Sequence, residues 1–265
     1  MPEGDTVFLT AHRLHDALAG NTLTRGEIRH PSLSTVDLAG RVVAGVGSVG
    51  KHILTRLEDG LSLHSHLRMD GSWHLYRPGE SWRRPSHQIR AILSTSDRVA
   101  VGFLLHDLEL LPTAEESRLV GHLGPDLLHP DWDADMAAEA TRRLAADPSR
   151  QIGLALLDQR VMAGVGNLYK AEVCFLLGVS PWSPVSAADP ARAVALSHKL
   201  LLRNAWRPEQ STTGELARGR QHFVYERQGK RCLRCGHTIV RAVQGSGLQQ
   251  RPTWYCPHCQ PGPTS

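Results

Sequence analysis

The chain has 265 residues, 41% hydrophobic, 5% aromatic and 21% charged, which supports one large or two modest globular domains and excludes a disordered tail or a fibre. No apolar run approaches the roughly 18–20 residues that span a bilayer. The start Met1-Pro2-Glu3-Gly4-Asp5 is acidic where a secretory signal is basic, so a soluble, cytoplasmic protein is expected. The net charge of +4 conceals a division: residues 1–191 hold 18 Lys/Arg against 23 Asp/Glu, and residues 192–265 hold 12 against 3. A basic segment this concentrated suggests a docked polyanion, with a small basic surface domain as the plainer alternative.

In chain order, Val7, Ala11, Leu14 and Leu18 recur at helical spacing after the candidate caps Asp5 and Thr6, and Gly20 ends the pattern, which predicts a helix over 6–19. From about 22 to 110 the period becomes two. Ile53/Thr55/Leu57 and Leu61/Leu63/Ser65/Leu67 flank a Glu58-Asp59-Gly60 turn, and segments at 90–95 and 98–104 flank Ser96-Asp97. This half reads as a β-sandwich with the first helix against it, over residues 1–120. Glycines, prolines and aspartates between Gly121 and Asp135 read as an interdomain linker. Helical patterns then recur at Met136–Ala146, Gln151–Gln159, Asn167–Leu177 and Pro190–Asn204, giving a helical domain over 136–224 and a cysteine-bearing tail over 225–265.

Three motifs carry chemistry. Cys232-x2-Cys235 and Cys256-x2-Cys259 stand 20 residues apart. Two such knuckles bring four thiolates to a tetrahedral site that suits one structural Zn²⁺, and the spacer accommodates a β-hairpin. Arg251, five residues before Cys256, would be presented by that hairpin as a guanidinium able to fork onto a phosphate. Gly164-Val165-Gly166-Asn167 opens a helix, and a helix N-terminus offers N–H groups and positive potential to an anion, or else marks an ordinary tight turn. Finally, removal of Met1 would leave Pro2 with a free secondary amine of pKa near ~8, against ~10.4 for lysine. Glu3 stands beside it as a proton donor or acceptor, the pairing that attack on an acetal-like carbon requires. Cys174, alone on a helix among apolar neighbours, reads as core, and His64/His66 lack a third metal ligand.

Met1-Pro2-Glu3-Gly4, Gly50-Lys51, Leu156-Leu157-Asp158-Gln159 running to Ala163-Gly164-Val165-Gly166-Asn167, and Arg251-Pro252 with Cys256-Pro257-x-Cys259-Gln260 together resemble the formamidopyrimidine-DNA glycosylase/endonuclease VIII family. The two ends look more like the endonuclease VIII branch. The resemblance implies an α+β protein: an N-terminal two-layer β-sandwich with its first helix, a C-terminal helical domain with a helix–two-turn–helix motif and a β-hairpin zinc finger, and DNA in the cleft between them. It implies a bifunctional DNA glycosylase/AP lyase of base excision repair acting on oxidised pyrimidines. In this reading Pro2 forms a Schiff base with the sugar, Glu3 donates a proton to the leaving base, Lys51 contacts phosphate and assists β-elimination, and Arg251 grips phosphate and assists δ-elimination. Asn167 would bind the backbone at the lesion, Met69 would fill the gap left by the extruded nucleotide, Arg68 would face the orphaned base, and His122 would sit at a DNA-contact position. Met69 could equally be core filling at a strand end. The implied partner is damaged DNA, duplex, single-stranded or forked, met by a monomer associated with the bacterial nucleoid. A formamidopyrimidine/8-oxoguanine glycosylase on the same scaffold, and a catalytically silent zinc-ribbon protein that binds damaged DNA, are the alternatives. The chain departs from the family pattern at Thr6, where many members carry a carboxylate, in its longer cysteine spacer, at Arg68-Met69-Asp70, and at His122, where an arginine is expected.

Overall fold

A computed structural model describes residues 2–247 and 250–264. Contacts divide the chain into two units, one of residues 1–2 and 6–122 and the other of residues 3–5 and 123–265.

In the first unit, helix α1 (Gly4–Leu18) buries Val7, Ala11, Leu14 and Leu18, the stripe its sequence spacing predicts. Eight strands follow: β1 (Arg25–Ile28), β2 (Val43–Val49), β3 (His52–Leu57), β4 (Leu61–His66), β5 (Ser72–Tyr76), β6 (Ile89–Ser94), β7 (Val99–Phe103) and β8 (Asp107–Pro112). They form two antiparallel sheets, ordered β1-β6-β7-β5 and β2-β3-β4-β8. The predicted turns at 58–60 and 96–97 join β3 to β4 and β6 to β7. Ile53, Leu57 and Leu63 join Ala91, Leu93, Ala100 and the α1 stripe in one core.

Both faces of β3 and β4 are covered, which simple alternation does not anticipate. Leu54, Ser62 and His64 are buried as well as Ile53 and Leu63. Part of the second face is closed by Glu116, which accepts from Arg56 at 2.7 Å and from the Ser62 hydroxyl at 2.6 Å, just before the single-turn helix α2 (Ser117–Val120). The polar residues on that face are paired rather than solvated. Strand β2 is masked in the sequence by its glycines and by a register break between Val43 and Gly45.

The second unit contains α3 (Ala134–Ala145), α4 (Ile152–Leu157), α5 (Asn167–Leu177) and α6 (Pro190–Asn204). Asp133 caps α3 by accepting from Met136 N at 2.9 Å, and Asp189 caps α6 by accepting from Ala191 N at 2.9 Å, with Pro190 in the first turn. A hairpin of β9 (Val240–Gln244) and β10 (Arg251–Tyr255) lies between the two cysteine pairs, as their spacing predicts, with Gln244 opposite Arg251. No helix among the described residues is long and apolar enough to cross a membrane.

Leu18 is fully buried among α1 and strand residues, so Leu18→Ala is expected to cost about 2–5 kcal/mol through lost burial and a residual cavity. A urea unfolding series checks this, and an unchanged midpoint would contradict the packing described.

Candidate active site

The sequence Gly164-Val165-Gly166 is the turn into α5, and the structure shows what its glycines admit. The Glu3 side chain is fully buried and its carboxylate sits on the first turn of α5. It accepts from Gly166 N at 2.8 Å, Leu168 N at 2.6 Å and Tyr169 N at 3.3 Å. A helix N-terminus leaves such N–H groups without intrahelical partners and carries positive potential, so it suits a carboxylate whose oxygens only accept. A Cβ on Gly166 would lie 2.4 Å from Glu3 Cδ. Gly4 N donates to Gly164 O at 2.9 Å, and a Cβ on Gly4 would lie 2.8 Å from Gly164 Cα. The anion-binding terminus read from the sequence is therefore filled by the protein's own Glu3, and the glycines serve that approach.

The neighbouring carboxylate has a different environment. Asp5 is buried and accepts from the Tyr169 hydroxyl at 2.7 Å and from Gln210 Nε2 at 2.9 Å. Burial first, then Asp5, pushes the Tyr169 hydroxyl far above its ordinary value, so it stays protonated and donates. Asn204 Nδ2 completes the group by donating to the Tyr169 oxygen at 2.9 Å. Asp5 is thus held by neutral donors one residue beyond Gly4. Tyr169, Asn204 and Gln210 carry no signal in the sequence, because each is a common polar residue without a motif.

Asn167 begins α5 and donates through Nδ2 to Pro252 O at 2.8 Å, while its buried Oδ1 finds no partner among the described residues. Arg251 begins β10, is exposed, and donates through Nη1 to Gln250 O at 2.8 Å. Glu3, Asn167 and the Arg251 strand are therefore all assembled around α5. Pro2 and Lys51 belong to the first unit, and Pro2 joins Glu3 through one peptide bond. Met1 lies outside the described residues. Lys51 follows Gly50, whose φ of +58° gives the two-residue β2–β3 turn its left-handed first position.

The segment 67–71 turns sharply, with Gly71 N donating to Leu67 O at 2.9 Å and Arg68 at φ +49°. Arg68 is paired with Asp107, Nη2 lying 2.6 Å from Oδ1, and Met69 projects at 67% exposure. That exposure removes the core-filling reading of Met69. His122 is exposed in the same unit. His52, directly after Lys51, stacks on His64 with Nδ1 2.9 Å from its Nε2, and also meets His66 edge to face. Burial holds His52 down to about 3 and His66 to about 4, so these rings are neutral at pH 7. Strand pairing of His52 with His66 makes this group, and the sequence pattern alone showed only His64/His66.

The four cysteines converge with all Sγ atoms within 4.8 Å of one another, Cys232 to Cys259 at 3.9 Å and Cys235 to Cys256 at 3.5 Å. Tetrahedral metal–sulfur bonds of ~2.3 Å place sulfurs about 3.8 Å apart, so this donor set fits one Zn²⁺. Gln260 braces the second knuckle, its Oε1 accepting from Cys256 N at 2.9 Å and its Nε2 donating to Val179 O at 3.0 Å. Cys174 is buried away from this set, and burial pushes its thiol up to about 12, as fits a core residue.

A β-sandwich unit followed by a helical unit, with a short turn into α5 and a four-cysteine hairpin, defines a class of proteins, and comparison identifies it. Residues 1–104 match the formamidopyrimidine-DNA glycosylase N-terminal domain, residues 123–214 the H2TH domain of the same glycosylase, and residues 229–262 the zinc finger found in FPG and IleRS. The chain is 57% identical to a probable endonuclease 8 2 of Streptomyces coelicolor, covering 99% of this chain and 95% of that one. It is 48% identical to the DNA-(apurinic or apyrimidinic site) lyase Nei2 of Mycolicibacterium smegmatis, covering 98% and 99% of the two chains. The fold superimposes on the Fpg of Lactococcus lactis, solved in complex with an abasic site containing DNA, with a TM-score of 0.79 at 22% identity over 98% of this chain and all of that one. The chain belongs to the formamidopyrimidine-DNA glycosylase/endonuclease 8 family, on its endonuclease 8 branch.

Two outcomes follow. Gly166→Ala must displace Glu3 and should lower the melting temperature, whereas in a Glu3→Ala background the same change should cost much less, so a thermal double-mutant cycle should be strongly non-additive. Additive losses would show that the carboxylate does not occupy this position. Metal analysis should find one zinc per chain, and Cys256→Ala should lose it and disorder the hairpin; a zinc-free wild type of unchanged stability would contradict the assignment.

Proposed function

We propose that this DNA glycosylase/AP lyase of base excision repair excises oxidised pyrimidines, using the amine of Pro2 after removal of Met1. Support comes first from Glu3, the next residue along the chain, whose carboxylate is fixed by three N–H groups of α5, while Pro2 itself is only half-buried. An amine and a carboxyl group held one residue apart are what Schiff-base chemistry at C1′ needs. The amine nitrogen bonds to C1′ and the base leaves with the electron pair of the broken C1′–N bond. The Glu3 carboxylate takes the proton that the secondary amine releases and passes it to the departing base, and opening of the C1′–O4′ bond, with O4′ taking a proton from water, then leaves the C1′ iminium. Lys51, placed on a tight hairpin turn, then contacts phosphate and assists β-elimination. Arg251, exposed at the start of β10, grips phosphate and assists δ-elimination. Asn167 binds the DNA backbone at the lesion, and His122 contacts DNA.

Reaching C1′ requires extrusion of the nucleotide, at a cost of a few kcal/mol that is smaller for a damaged base. Met69, unbranched and exposed on a turn braced by the Arg68–Asp107 pair, suits the gap that extrusion leaves, with Arg68 beside the orphaned base. The enzyme acts as a monomer in the cytoplasm, at the nucleoid, on damaged duplex DNA, and single-stranded and forked DNA are further substrates. The zinc keeps the hairpin that carries Arg251 rigid.

Borohydride is expected to trap a covalent protein–DNA adduct on abasic duplexes with wild type and not with Pro2→Gly. Glu3→Gln should lose base excision while still nicking preformed abasic sites. Thymine glycol and 5-hydroxycytosine should be excised faster than 8-oxoguanine or formamidopyrimidine; the reverse order assigns the purine-directed activity instead. No adduct with any of these DNAs would leave a silent damaged-DNA-binding protein.

A further inference from the structure

The Lys170 side chain is completely buried on the first turn of α5, one helical turn beyond Asn167. An ammonium in such a place is costly unless its donors are satisfied, and an apolar side chain of similar length would avoid that cost. Its Nζ donates to the Thr253 hydroxyl at 2.5 Å and faces Gln244 Oε1 at 3.5 Å. Both partners are buried and both belong to the zinc-finger hairpin, Thr253 on β10 and Gln244 on β9.

The two contacts are oriented from behind. Gln244 Nε2 donates to Pro181 O at 2.7 Å and to Gln151 Oε1 at 2.9 Å, which turns its Oε1 toward Lys170. The Thr253 hydroxyl, accepting from Lys170, donates onward to Arg251 O at 3.4 Å, and Gln244 is the residue paired across the hairpin with Arg251. Asn167 adds its bond to Pro252 O between them. The ammonium is therefore tied to both hairpin strands, one step removed from Arg251 on each: through the Thr253 hydroxyl on β10 and through Gln244, its cross-strand partner, on β9.

We propose that Lys170 is a positioning residue, holding the hairpin so that Arg251 is presented in fixed register to the same helix turn that anchors Glu3. This rests on the role given above to Arg251. Burial is the largest influence on the ammonium and holds the amine down to about 8; Glu3 favours its charge, Arg251 opposes it, and the Cys174 thiol beside it is itself held protonated by burial. The charge is thus mostly present at neutral pH, where it completes the attraction to Glu3 across α5.

The test uses full-length, zinc-loaded wild type, Lys170→Met, Lys170→Arg, Thr253→Val and the Lys170→Met/Thr253→Val double variant on one abasic duplex. The ratio of δ- to β-elimination product is read together with the rate of borohydride trapping. In Lys170→Met and in Thr253→Val the δ:β ratio should fall about tenfold, out of proportion to any change in trapping, and the double variant should be no worse than the poorer single. Lys170→Arg, which keeps charge and donors, should recover part of the ratio. Hydrogen exchange on the same samples should be faster at Arg251 and Thr253 with zinc retained, and this arm reads the latch whether or not wild type traps. Parallel losses of trapping and product ratio, an unaltered ratio, additive effects in the double variant, or unchanged exchange in the hairpin would each overturn the proposal. An absence of trapping in wild type, with the exchange effect intact, would instead point to failure of the preceding reading.

Discussion

Glu3 and the first turn of α5 form the contact on which the other parts of this site depend. A carboxylate at a helix N-terminus is favourable because it meets N–H groups that have no partner within the helix and a positive end potential. Here the carboxylate is entirely buried, so the same N–H groups are also what make its burial tolerable. The approach is close enough to explain Gly4 and Gly166, while Gly164 between them takes a φ of +111° that favours glycine. Residue 2 is consequently joined by one peptide bond to a fixed point, which suits the reactive amine proposed for it better than a frayed terminus would.

Helix α5 distributes this constraint. Of its eleven residues the first nine are buried, and four polar ones reach in different directions. Asn167 and Lys170 bind the hairpin, Tyr169 binds Asp5, and Glu172 accepts from Phe223 N, Val224 N and Tyr225 N at 2.8–2.9 Å. Each of these groups would be expensive to bury alone, and each is paired with a segment distant in sequence. The helix thus specifies the positions of the N-terminal residues, the 223–225 loop and the zinc-finger strands at once. Removing one partner of such a pair costs more than the bond itself, because the other is left buried without a donor or acceptor.

Much of this was legible from residue patterns, for reasons that differ by element. The α1 stripe and the turns at 58–60 and 96–97 follow from periodicity and turn chemistry, and the zinc ligands follow from spacing alone. Strand β2 was obscured by glycines, and the doubly covered faces of β3 and β4 break the alternation expected of a half-exposed sheet. Helix α5 could be placed but its role could not. Its polar residues are buried on several sides, so no amphipathic pattern marks which face matters, and nothing in the sequence marks Lys170 or Glu172 as buried. The Gly164-Val165-Gly166-Asn167 motif reads equally as an anion site or a tight turn, and only the fold shows that it is a turn into α5 whose N-terminal N–H groups bind an anion supplied by the chain itself.

The most direct test of the account is to locate the attachment point on the borohydride-reduced adduct by proteolysis and peptide mass determination. The account predicts that the N-terminal peptide begins at Pro2 and carries the added sugar-derived mass on that residue. Attachment to Lys51, Lys170 or any other amine, or an N-terminal peptide that retains Met1 on an active enzyme, would contradict it.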